Sequence, residues 1–184
     1  YGGGSFGATH DKVFFCGKDG RLYAISIEEG FEKAISPKYG GLAAPTPSPD
    51  GEWVMYIHSY EDKDCIAIVD ANGDKWPIKL ISGADFYMQP KWSPDGKTIV
   101  WVSWDHPDMP WDRTRIEMAT VGFNGGFPQV GEVSVLVGGE FSAQQPEFSP
   151  SGKYLSYLSD EQGFLQLYVR NLETGETQRM DASE

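Results

Sequence analysis

The sequence predicts an all-β protein: a β-propeller fragment of about four four-stranded blades. Three observations carry that expectation. Gln89-Pro90-Lys91-Trp92-Ser93-Pro94-Asp95-Gly96-Lys97 returns as Gln145-Pro146-Glu147-Phe148-Ser149-Pro150-Ser151-Gly152-Lys153, with a looser copy in Ala44-Pro45-Thr46-Pro47-Ser48-Pro49-Asp50-Gly51-Glu52. Asp50 and Asp95 are 45 residues apart, and Asp95 and Ser151 are 56 apart; a period near 45 is that of a propeller blade. Finally, 22 glycines and 12 prolines are scattered between short apolar runs, as in a chain of short strands and tight turns.

Each copy reads as a hairpin. In Ser-Pro-Asp-Gly the proline presets φ, the aspartate tolerates the bridge region and the glycine supplies positive φ. The residue before it, Trp92 or Phe148, is a large apolar plug for the space between blades. Second strands are expected over residues 53–58, 98–104 and 154–158, and third strands over 65–70, 115–121 and 165–172. Short fourth strands follow over 79–82, 133–137 and 177–180, after turns at Asn72-Gly73 and Thr174-Gly175. An earlier unit lacks the Ser-Pro-Asp-Gly turn but has strands over 13–17, 21–27 and 32–36, with Lys18-Asp19-Gly20 as a turn. The blades then span approximately 1–40, 41–83, 84–139 and 140–184.

The third unit is longer than its neighbours. The excess falls between its second and third strands, in Asp105-His106-Pro107-Asp108-Met109-Pro110-Trp111-Asp112. Long loops on a rigid scaffold are where binding concentrates, although a proline-braced loop can also simply cover a blade edge. Asp105, His106, Trp111 and Asp112 are the candidate functional residues.

Composition removes several function classes. The net charge of −12 argues against nucleic acid, whose phosphates need clustered Lys and Arg, and against an anionic membrane surface. An acidic face could attract cationic substrates or N-terminal amines. No apolar run approaches the roughly 18 residues of a membrane span. The chain starts at Tyr1 without a signal-peptide pattern, so either a leader was removed or the chain was cut from a larger protein. Cys16 and Cys65 sit in apolar strand-like runs and are expected as buried free thiols, which favours the cytoplasm.

Some motif matches carry no chemistry. Gly3-Gly4-Ser5-Phe6-Gly7 fits Gly-x-Ser-x-Gly, but a nucleophile elbow needs a strand before it and a helix after it. Gly2, Gly4 and Gly7 fit a dinucleotide fingerprint, but no βαβ unit surrounds them. Asp70-Ala71-Asn72-Gly73-Asp74 begins like a calcium loop, yet its twelfth position is Ile81, and a hairpin turn accounts for it better. Glu28-Glu29, Asp62 and Asp64 read as solvated turn residues. No catalytic residue, metal ligand set or cofactor is expected in this chain.

The residues Leu80-Ile81-Ser82-Gly83-Ala84-Asp85-Phe86-Tyr87, the Ser93–Lys97 turn and Trp104-Asp105-His106-Pro107-Asp108-Met109-Pro110-Trp111-Asp112 resemble the propeller of the acylaminoacyl-peptidase / dipeptidyl aminopeptidase group. That group belongs to the prolyl oligopeptidase family of serine peptidases. Tyr1–Phe6 and the stretch from Gln145 to Tyr168 resemble the same propeller. The Ser-Pro-Asp-Gly turns alone are shared with TolB-like propellers. The resemblance implies an N-terminal propeller capping a C-terminal α/β-hydrolase domain, restricting access to short peptides. The partners it implies are that hydrolase domain and peptide substrates. No hydrolase domain follows Glu184, and about four blades of an expected seven are present, so the chain is read as an excised part of a propeller. Open flanks and strand edges then predict self-association or partial disorder at the termini. A stand-alone TolB-like protein-binding propeller is the alternative.

Overall fold

A computed structural model describes residues 4–180, with Gly2 and Gly3 of the glycine motifs outside them. Every element in this span is a β-strand, and the strands form four antiparallel sheets in chain order. Blade I contains β1 (Phe6–Ala8), β2 (Lys12–Cys16), β3 (Leu22–Ser26) and β4 (Glu32–Ala34). Blade II contains β5 (Gly41–Pro47), β6 (Trp53–Tyr60), β7 (Lys63–Asp70) and β8 (Ile78–Ile81). Blade III contains β9 (Phe86–Trp92), β10 (Thr98–Trp104), β11 (Arg115–Asn124), β12 (Phe127–Val130) and β13 (Ser134–Gly138). Blade IV contains β14 (Ala143–Phe148), β15 (Tyr154–Ser159), β16 (Gln166–Asn171) and β17 (Thr177–Met180). The innermost strands β1, β5, β9 and β14 touch one another from blade to blade, as the first strands of a propeller do around its axis.

The recurring turn is built the same way three times. The glycine N–H donates to the serine carbonyl at 2.9 Å in Ser48–Gly51, Ser93–Gly96 and Ser149–Gly152. The serine hydroxyl accepts the N–H of the first residue of the next strand, at 3.0, 2.9 and 3.1 Å. In the first two copies it also donates to the aspartate, at 2.5 and 2.6 Å. The glycines sit at φ of 74°, 69° and 71°, where a side chain is strained.

Upstream of each turn, an X-Pro pair interrupts the inner strand. Ala44, Gln89 and Gln145 all have positive φ, and the register shifts beside each of them. The prolines that follow cannot donate to a ladder, so a bulge is where an inner strand can hold them. Trp92 behaves as the expected plug: its Nε1 donates to the Thr46 carbonyl of blade II at 3.2 Å.

In blades II and III, both faces of the second strand are buried. Val54 and Tyr56 pack toward blade I, while Met55 and Ile57 pack toward blade III. The same alternation gives Ile99 and Trp101 to the blade II–III core and Val100 and Val102 to the blade III–IV core. Burying each such side chain contributes about 1.5–3 kcal/mol, so the stack of blades is the hydrophobic core.

The excess length of blade III is distributed differently from the sequence expectation. Part of it is the 105–114 loop, but part is a hairpin in which β11 runs on to Asn124 and turns at Gly125-Gly126 into β12. β13 then pairs the earlier half of β11. The hairpin folds over blade II: Phe123 and Phe127 tilt against Trp53, and Lys75 Nζ lies 4.9 and 5.1 Å from the Trp53 and Phe127 rings.

Because each blade is an up-and-down meander, its loops divide between two faces. Ser-Pro-Asp-Gly turns and third-to-fourth turns occupy one face. The second-to-third loops and the links between blades occupy the other, which holds the candidate loop.

Candidate functional site

The 105–114 loop is fixed by charge at its start. Asp105 Oδ1 accepts the Asp85 N–H at 3.0 Å, and Asp105 Oδ2 accepts from Arg115 Nη2 at 2.7 Å. Asp85 reciprocates: its Oδ2 accepts the His106 N–H at 3.0 Å and lies 3.1 Å from His106 Nδ1. A carboxylate only accepts, so Nδ1 carries the hydrogen and Nε2 is the free edge of the ring. The His106 backbone bond, then its side-chain bond, hold the Asp85 carboxyl below the ordinary carboxylate value. The His106 ring rests on Phe86 with centroids 4.7 Å apart, and Phe86 stacks on Trp104 at 5.2 Å.

The network continues inward. Arg115 Nε is 4.0 Å from Glu117 Oε1, and Glu117 Oε2 accepts from Trp101 Nε1 at 2.8 Å and Ser103 Oγ at 2.7 Å. Burial pulls the Arg115 guanidinium down, but Asp105, with Glu117 and Tyr87 after it, together more than offset this, leaving a net upward shift. A buried indole thus leads through Glu117, Arg115, Asp105 and Asp85 to a surface imidazole.

The far end is pinned to blade IV. Thr114 is 1% exposed. Its hydroxyl donates to the Ala143 carbonyl at 2.6 Å and accepts the Ala143 N–H at 2.7 Å. The Ser142 hydroxyl donates to the Pro110 carbonyl at 2.8 Å. Gly138 is required beside this anchor, since a Cβ there would lie 2.1 Å from the Thr114 carbonyl oxygen.

Of the four candidates, Asp105 and His106 share one network with Asp85 and Arg115. Asp112 closes a local turn instead, its Oδ2 accepting the Met109 N–H at 2.9 Å. Trp111 is 63% exposed near the tip. Asp108 takes Arg113 Nη2 at 2.9 Å, and the His106–Pro107 bond is cis. The sequence reading missed Asp85, Arg115 and Glu117; the available signal was an arginine directly after an acidic loop. The pair Asp85–His106 can hold and orient a polar group through Nε2.

The rejected motifs have plain structural roles. Ser5 leads directly into β1, so no helix follows it. Both Asp70 carboxylate oxygens serve backbone N–H groups of Asn72, Asp74 and Lys75. Glu61 and Asp62, both at positive φ, form the two-residue turn between β6 and β7, the geometry of a type I′ hairpin. Both cysteines are free, Cys65 buried and Cys16 half-buried.

Fold and repeat define a four-blade segment of β-propeller. No family model matches the chain. An uncharacterized protein of Agrobacterium fabrum is 28% identical over 142 residues, covering 74% of this chain and 46% of its own length. Among solved structures, a puromycin-hydrolyzing peptidase of Mycobacterium tuberculosis superposes with a TM-score of 0.80 at 25% identity, over 100% of this chain and 31% of its own. A puromycin hydrolase gives 0.78 at 26% identity, over 94% and 29%. TolB from Acinetobacter baumannii gives 0.67 at 19% identity, over 92% and 40%. The chain is thus similar to propeller portions of these peptidases and to TolB propellers, and it spans under half the length of each.

Proposed function

We propose that the chain is the non-catalytic propeller portion of a serine peptidase of the prolyl oligopeptidase family, close to the acylaminoacyl-peptidases and dipeptidyl aminopeptidases. The observation that carries this reading is the contrast among neighbours. The two puromycin-hydrolyzing enzymes match at 25–26% identity with TM-scores of 0.78–0.80, against 19% and 0.67 for TolB. In this reading the parent is a cytoplasmic hydrolase. The blades limit which peptides reach an α/β-hydrolase domain, and the face bearing Asp105, His106, Trp111 and Asp112 meets that domain and lines the substrate route.

The test is fluorophosphonate labelling of the full-length parent. A single labelled serine in a Gly-x-Ser-x-Gly sequence outside these blades is expected, with Ser5 unlabelled. A parent that contains no such serine overturns the reading in favour of a stand-alone TolB-like binding propeller.

A further inference from the structure

Away from the candidate loop, a cleft of about 450 Å³ opens between blade II and the link that joins it to blade I. That volume lies in the range of small-molecule sites, roughly 300–1,000 Å³. Tyr56 and Cys65 come from blade II strands, Lys38 and Tyr39 from the link between blades, and Trp76 and Lys79 from the end of blade II.

Its polar groups are arranged for a ligand. Tyr56 is only 3% exposed, yet its hydroxyl makes no hydrogen bond among the described residues. Burial, then the nearby cysteines, raise its pKa far above the ordinary tyrosine value, so the hydroxyl keeps its proton and offers the cleft a donor. The ring is buried, and the hydroxyl at its end opens into the cleft. The Lys38 and Lys79 ammonium groups form no ion pair among the described residues, and no carboxylate lines the cleft. This occurs in a chain with 27 acidic residues against 15 basic ones. Asp74, on the same turn as Trp76, is occupied by Lys33 at 3.4 Å.

The walls are prepared as well. Tyr39 is held by stacking on Tyr60 at 4.4 Å and on His58 at 5.4 Å. His58 Nε2 is 3.0 Å from the Tyr39 carbonyl, which only accepts, so Nε2 carries the hydrogen. His58 Nδ1 is then the acceptor that faces Cys65 Sγ at 3.9 Å. Burial raises the Cys65 pKa, which keeps the thiol protonated as part of the floor. Trp76 is 74% exposed at the rim.

We infer that this cleft binds a small amphipathic anion: an apolar, aromatic body against Trp76 and Tyr39, an acceptor for the Tyr56 hydroxyl, and a carboxylate met by Lys38 and Lys79. The inference stands apart from the peptidase reading. The probe is 2-naphthoate, titrated calorimetrically into the four-blade chain, with 2-naphthamide as its neutral counterpart. One saturable site is expected, with a Kd of about 0.1 mM for a ligand of this size. Lys38→Ala/Lys79→Ala and the neutral amide should each weaken binding about tenfold, and Tyr56→Phe by about threefold to tenfold. The lysines are on the surface, so their variants should keep the parent melting curve. Absence of saturable binding at millimolar naphthoate overturns the inference, as does equal affinity for acid and amide or for the lysine variant.

Discussion

Replacing Thr114 by valine tests whether the candidate loop is clamped to blade IV. Valine has the same shape, so no cavity opens, and only the hydroxyl is lost. That hydroxyl makes two short bonds to one residue, at 2.6 and 2.7 Å to the Ala143 C=O and N–H. Thr114 and Ala143 are 1% and 0% exposed, so both backbone groups would be stranded away from water. A net hydrogen bond contributes about 1 kcal/mol, and each stranded buried group costs about 1–3 kcal/mol. Some relaxation at the loop gives a total of about 2–4 kcal/mol. For a domain of this size 1 kcal/mol moves Tm by about 2–4 °C, so Thr114→Val should melt about 5–15 °C lower. Thr114→Ser keeps both bonds and loses one methyl, a cost of about 1 kcal/mol. Urea unfolding and amide exchange at Ala143 read both effects. A Thr114→Val protein as stable as wild type, with an equally protected Ala143 amide, would refute the clamp.

Three further outcomes follow from the geometry. Ser93→Ala removes both the 2.9 Å acceptor for the Thr98 N–H and the 2.6 Å donor to Asp95, and should cost about 1–2 kcal/mol in urea unfolding. Asp85 has a folded pKa lowered from 3.8, chiefly by the His106 backbone bond. Its stabilising effect is therefore complete above the unfolded value and is lost as pH falls through the folded one. The stability difference between wild type and Asp85→Asn should be largest above the unfolded value and shrink below 3.8; a difference that grows there contradicts the assignment. Lastly, Leu167 of blade IV occupies the position of Ile116 in blade III, yet it is 43% exposed where Ile116 is 0%. Self-association through this flank is expected, and Leu167→Lys should shift light scattering of the four-blade chain toward monomer.

The repeat was legible because its chemistry is local. Ser, Pro, Asp and Gly each act within five residues of one another, so the turns at Ser48, Ser93 and Ser149 could be read directly. The third strands were legible as short apolar runs between turn residues. The β12 strand was not: Phe127-Pro128-Gln129-Val130 is short, contains a proline and becomes a strand by pairing with an extension of β11. Asp85 was missed for a different reason. Its partner His106 lies 21 residues away, and no periodicity links a blade-to-blade connector to the tip of a second strand. Thr114 reads as an ordinary surface threonine until the blade III–IV link folds over it. Local chemistry thus revealed the blades, whereas contacts between blades determined the site.

The central claim is that these blades restrict access to a peptidase site. It is tested most directly by kcat/KM of the full-length parent on a series of blocked and unblocked peptides of increasing length. The account predicts hydrolysis of short peptides, with kcat/KM falling steeply as length grows. Failure to hydrolyse any peptide, or a kcat/KM independent of length, would contradict it.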